Sequence, residues 1–128
     1  MGTWRVDGTS KKGILALELK GALVASEMEA FVKAHNDAID AFKDADYRVF
    51  CDIRELRPLS QDAADIFARG KAYSSAHKNF QGSAVLALEG VVSMQHRRTS
   101  VGGGVMDTEL ISASEEACWA HLATVRRS

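Results

Sequence analysis

The sequence predicts an α/β domain: a single mixed, mostly parallel sheet with an N-terminal antiparallel hairpin and about four helices, in the order β-β-α-β-α-β-α-β-α. Two observations carry this expectation. Short β-type runs alternate with longer segments whose apolar residues recur every three or four positions, and such alternation needs crossover connections, hence parallel strands covered by helices. The exception is the start, where two strand-like runs are separated only by the polar, glycine-bounded stretch Gly8-Thr9-Ser10-Lys11-Lys12-Gly13, the pattern that closes a hairpin.

The 128 residues suit one domain, 1–128, and no linker, repeat or low-complexity tract divides them. Hydrophobic residues at 46% and charged residues at 26% exclude a disordered chain. No apolar run approaches the ~18 residues of a membrane span. With 16 Lys and Arg against 17 Asp and Glu, the net charge of −1 directs no overall field at nucleic acid or an anionic membrane. The start, Met1-Gly2-Thr3-Trp4, has neither the pattern of a secretory signal nor a myristoylation motif, which gives a cytoplasmic address as the expectation.

Trp4–Asp7 and Ile14–Leu19 are the hairpin strands, and the nearly continuous apolar character of the second predicts an internal strand covered on both faces. Ser26-Glu27-Met28-Glu29 reads as a capping box opening a helix. Met28, Phe31, Val32, His35, Ile39 and Phe42 form its buried stripe, and His35 on that stripe reads as a hydrogen-bonded core histidine. Tyr47–Ile53 is the third strand, followed by a loop through Pro58. Ser60 is the predicted N-cap of a second helix, whose first turn carries Asp62 and Asp65 toward the positive end of its dipole.

Ser83–Leu88 is a fourth, buried strand. Glu89-Gly90 then opens a short helix, Val91–Arg98, with a basic end, and Gly102-Gly103-Gly104 reads as a flexible connection. It lacks the lysine and the following helix of a phosphate loop. Val105–Ile111 is a weaker last strand. Ser112-Ala113-Ser114-Glu115 is a second capping box, opening a terminal helix whose negative end Arg126 and Arg127 complement. Cys51 and Cys118 lie in apolar-patterned segments and read as free core thiols.

Chemistry-bearing motifs are sparse. His35, His77, His96 and His121 show no metal-ligand spacing, and no nucleophile elbow or dinucleotide fingerprint is present, so no catalytic residue, metal or cofactor is predicted. His96-Arg97-Arg98 is a local cationic run suited to an anion or an acidic partner, and Arg97-Arg98-Thr99-Ser100 matches a basic-basic-x-serine pattern.

The element order, with Gly13-Ile14-Leu15-Ala16-Leu17-Glu18-Leu19-Lys20-Gly21 before a capped helix, Val49-Phe50-Cys51-Asp52-Ile53-Arg54 leading to the helix at Ser60, and the closing Ile111–Leu122, resembles the STAS domain. It is most similar to the divergent SpoIIAA-like branch, which is itself compared with the CRAL-TRIO lipid-transfer fold. The resemblance implies a serine, preceded by aspartate, that a kinase-type anti-sigma factor phosphorylates at the start of the helix after the third strand. Ser60 stands in that place, yet Leu59 precedes it and the acidic residue, Asp62, follows it. Plain capping therefore competes with a phosphoswitch, although a helix N-terminus suits a phosphate.

Three functional readings follow. The first is a non-enzymatic, bacterial-type regulatory or protein-interaction module, anti-sigma-antagonist-like, that binds a protein partner around Ser60, Asp62 and the second helix; edge strands leave a homodimer open. The second is a module for a small apolar ligand or lipid, which requires a roomy cavity with an entrance. The third is an enzyme with a nonlocal site drawing on Asp52, His77 and Arg98, which requires converging polar groups in a cleft.

Overall fold

The computed structural model describes residues 2–88 and 90–127; Glu89, placed by the sequence in the turn before the third helix, lies outside them, as do Met1 and Ser128. The strands are β1 (Thr3–Asp7), β2 (Ile14–Gly21), β3 (Tyr47–Leu56), β4 (Phe80–Leu86) and β5 (Glu109–Ser112). The helices are α1 (Ala25–Ala41), α2 (Gln61–Ser75), α3 (Val91–Gly103) and α4 (Glu115–Thr124). The expected element order is present. One sheet in the order β1-β2-β3-β4-β5 has β1 antiparallel to β2 and all other neighbours parallel.

Because each crossover advances one strand in the same direction and crossovers are right-handed, α1, α2 and α3 must lie on one face of the sheet. That face holds the main core, with Leu15, Leu17 and Leu19 of β2, Met28, Phe31 and Ile39 of α1, and Tyr47, Phe67 and Phe80 packed together. Among the described residues, α4 is the helix that covers the other face, where Cys118 and Leu122 meet Phe50, Ala84 and Leu86. This asymmetry corrects the expectation for β2. Its alternate residues Leu15, Leu17 and Leu19 are buried, but Ile14, Ala16 and Glu18 on the α4 side are only half-covered. The strand buried along its whole length is β4, which lies under helices on both sides.

Helix starts shift from the predicted residues. α1 is entered at Val24, whose backbone N–H donates to Glu27 Oε1 at 3.0 Å. Valine has no side-chain acceptor to return, so half of a capping box is present, two residues ahead of the expected one. Ser60 caps α2 as expected, its Oγ accepting from the Ala63 N–H at 3.2 Å. Ser114 caps α4 by accepting from Ala117 N–H at 3.1 Å, while Ser112 instead accepts from Ser114 N–H at 3.0 Å.

The glycine run is the larger correction. Gly102 and Gly103 form the last turn of α3, and Gly104, at φ 76°, ends it in the left-handed conformation. A Cβ on Gly103 would collide with the Cβ of Lys71 and stand 3.1 Å from the Ala68 carbonyl oxygen. The glycines are thus a close-packing surface between α2 and α3. β5 is shorter than predicted, preceded by a 3-10 turn at Met106–Thr108. Arg127 crosses to the C-terminal end of α2, donating to the carbonyls of Ser75 at 2.7 Å and His77 at 2.5 Å rather than serving its own helix.

Candidate functional site

The carboxyl ends of the parallel strands and the N-termini of the crossover helices share one edge, the usual place for binding in open α/β sheets. Ser60 is exposed there, its hydroxyl accepting from the Ala63 N–H, and Asp62 is exposed in the first turn of α2. The residue before Ser60 is held from α3. Gln95 Oε1 accepts from the Leu59 N–H and Gln95 Nε2 donates to the Leu59 carbonyl, each at 2.7 Å. A groove of about 210 Å³ beside this clasp is lined by Ile53, Arg54, Leu56, Leu88, Val91 and Val92.

The cationic run does not form one patch. Helical geometry turns His96 inward, 3% exposed, while Arg97 and Arg98 face solvent. The residues of the enzyme reading are likewise dispersed. Asp52 is paired with Arg54 on β3 at 2.7 Å, His77 lies beyond the C-terminal end of α2 with Nδ1 against the Tyr73 carbonyl oxygen at 2.8 Å, and Arg98 is on the outer side of α3.

What does converge was not anticipated. The β4–β5 register sets Ser83 opposite Glu109 on the main-core face, and α2 and α3 bring Lys71, His96 and Ser100 over it. Lys71 Nζ donates to Ser100 Oγ at 2.5 Å and to His96 Nε2 at 2.6 Å, and lies 3.3 Å from Glu109 Oε2. Ser100 Oγ in turn donates to Glu109 Oε1. With Nε2 accepting from the lysine, the neutral ring carries its proton on Nδ1, which has no partner among the described residues.

The charges follow from this packing. Burial opposes ionisation of Glu109, but the His96 ring and the Lys71 ammonium outweigh it and hold the carboxyl down at about 2. Burial pushes the Lys71 amine down as well, with the Glu109 charge acting against that burial, and the two form a coupled buried pair 3.3 Å apart. Burial, reinforced by the Lys71 charge, pushes His96 down to about 4, so it is neutral near pH 7. Cys51, beneath the cluster, is pushed up to about 12 by burial and is an inert thiol. His35 is also buried and lowered by that burial, with Nδ1 2.8 Å from Asn36 Oδ1.

The cluster borders a cavity of about 30 Å³, also lined by Val49, Phe67 and Val105. That space suits one or two waters and is far below the several hundred Å³ of a small-ligand pocket. Lys71, His96 and Ser100 are all less than a tenth exposed, so the polar groups converge in the buried interior beside a small cavity rather than in a roomy cleft. Sequence carried one hint of them: Lys71 sits four residues after Phe67 and three before Ser74, within the buried stripe of α2.

The site and topology define an open, single-sheet α/β domain with a buried polar cluster behind its carboxyl edge. By sequence, the chain matches no protein-family profile and no curated protein. By structure it is similar to an uncharacterized protein of the DUF3478 family, with a SpoIIAA-like fold, from Shewanella loihica PV-4. The TM-score is 0.66 at 16% sequence identity, covering 94% of this chain and 93% of that one. The fold is SpoIIAA-like, as the sequence resemblance implied. Among the described residues no helix is long and apolar enough to cross a membrane.

Proposed function

We propose that this SpoIIAA-like domain is a non-enzymatic regulatory module that docks a protein partner on its carboxyl edge, around Ser60, Asp62 and the start of α2. The observation that carries this reading is the contrast between edge and interior. The edge presents an exposed serine hydroxyl at a helix N-terminus beside exposed Leu88 and Val91, whereas the cavity behind it has room for little beyond water. A phosphate on Ser60 would meet the free N–H groups and positive dipole end of α2 and would place new charge one residue from the Gln95 clasp. The volume of the cavity argues against a retained lipid.

Native mass spectrometry of gently purified protein, followed by denaturing mass analysis, tests the reading. A protein partner that is retained by the wild type and lost from Ser60→Glu supports it, as does phosphate mapped to Ser60. A retained small apolar molecule would overturn it in favour of a ligand carrier.

A further inference from the structure

α3 is packed inside out. It buries Ser93, His96, Thr99, Ser100 and Gly103 against the domain and turns Val91, Met94 and Val101 outward, at 66%, 57% and 62% exposure. Steps of three and four place those three side chains and Arg98 on one stripe, with Arg97 at its flank. Of the six large hydrophobic residues exposed among those described, five lie between Leu88 and Met106. An apolar concentration of this kind on one helix is the mark of an interaction surface, whereas isolated exposed residues are ordinary.

The charge around the stripe decides what fits it. From Gly90 to Met106 the chain carries Arg97 and Arg98 and no acidic residue, with Glu89 and Asp107 just outside that stretch; Asp65 of α2 shares a groove with Arg98, and neither arginine is in an ion pair among the described residues. The chain as a whole is at −1, so this positive charge belongs to the helix and not to the protein. His96 adds nothing to it, being buried and neutral.

We infer that the outer face of α3 docks an acidic amphipathic helix of a partner protein, its apolar residues on Val91, Met94 and Val101 and its carboxylates on Arg97 and Arg98. The inference rests on the interaction-module reading and supplies its partner chemistry. It also extends the interface beyond Ser60, to which α3 is tied by the Gln95–Leu59 clasp. Arginine forks suit carboxylates on a helix, and a groove or stripe read at three- and four-residue steps is a recurrent mode of helix recognition.

The test uses isotope-labelled full-length protein and two synthetic helical peptides with the same leucine stripe, one with glutamate on its polar positions and one with lysine. Amide shifts at Val91, Met94, Arg98 and Val101 with the glutamate peptide, and binding weakened about tenfold or more by Met94→Asp or by lysine in the peptide, are the expected result. Arg97→Glu with Arg98→Glu should reverse the peptide preference. Both changes are on exposed side chains, and an unchanged melting temperature confirms that each variant is folded. Equal binding of the two peptides, or Met94-dependent self-association in place of peptide binding, would overturn the inference. Shifts confined to Gln61 and Asp62 would overturn it too while leaving the Ser60 interaction reading standing. That reading fails separately, through the mass-spectrometric result.

Discussion

α1 and α3 cross the same face of the same sheet and are held there by different forces. α1 buries Met28, Phe31 and Ile39, apolar area worth about 1.5–3 kcal/mol each, and Phe31 meets the rings of Trp4 and Phe67 edge-on. α3 buries a histidine, two serines and a threonine, and is fastened by the hydrogen bonds of His96 and Ser100 to the Lys71–Glu109 pair of α2 and β5, a glycine contact and the Gln95 clasp. Apolar burial is tolerant and additive, whereas a buried polar network is favourable only while every member keeps its partner. The comparison teaches that a helix can spare its apolar residues for the outside when a polar latch holds its inside, at the cost of sensitivity to any loss within the latch.

The largest effect should come from breaking that latch. Glu109→Ala leaves the Lys71 ammonium buried without its counter-charge, and the expected loss of stability in denaturant unfolding is about 3–5 kcal/mol. Phe31→Ala should cost a similar amount, so magnitude does not separate the two helices. Repair does. Replacing both charges, Lys71→Met with Glu109→Leu, should recover part of the loss, because it removes the uncompensated buried charge, while His96 Nε2 and Ser83 Oγ lose their partners. If the double variant is no more stable than Glu109→Ala, α3 is held by shape and not by the ion pair.

Acid should act on both helices through their buried histidines, and on the polar cluster again lower down. The His96 ring is near 4 in the folded protein and 6.5 when free. Between those values the unfolded chain takes up a proton that the folded chain refuses, so stability falls as the pH drops through this window, by about 3 kcal/mol in all. Glu109 acts lower down. Its carboxyl is near 2 against 4.5 when free, and the stability it contributes is lost as the pH falls from 4.5 toward 2. Melting temperatures across pH 7 to 4 should therefore decline, and His96→Gln should flatten that slope and, by removing one of the groups that hold Glu109 down, also narrow the lower window. A residual slope belongs to His35, lowered by its own burial on α1. An unaltered slope in His96→Gln would assign the whole acid response to other groups.

The same contrast explains what could be read in advance. α1 and α2 were legible because most of their buried residues are apolar and recur with helical period, and the strands were legible because they are short, apolar and bounded by turns. α3 was read as short and weakly apolar, ending in a flexible linker, because its inward residues are polar and its glycines serve packing instead of a turn. The polar cluster joins Lys71 to Glu109 across 38 positions of sequence, and no local pattern specifies such a pair. Ser60 was placed correctly as a cap because capping is a local interaction between residues three apart. His96 was grouped with Arg97 and Arg98 by adjacency, whereas a helix turns neighbours about 100° apart and sends one inward and two outward.

The smallest effect concerns how the well-packed helix begins, and it should have the opposite sign. α1 starts at Val24, which is 56% exposed and offers no acceptor to the first-turn amides, although Glu27 already reaches back to its N–H at 3.0 Å. Val24→Ser should complete the box by giving the Glu27 N–H a hydroxyl acceptor. The gain should be about 1 kcal/mol in unfolding free energy, since capping residues are worth that much and little apolar burial is lost at so exposed a position. The gain should also be confined to α1 in hydrogen exchange, leaving the amides of α3 as the faster-exchanging set. If Val24→Ser gave no gain, its side chain would be contributing packing that offsets a cap. If it slowed exchange in α3 as much as in α1, the two helices would open together, and the distinction between an apolar anchor and a polar latch would not extend to their dynamics.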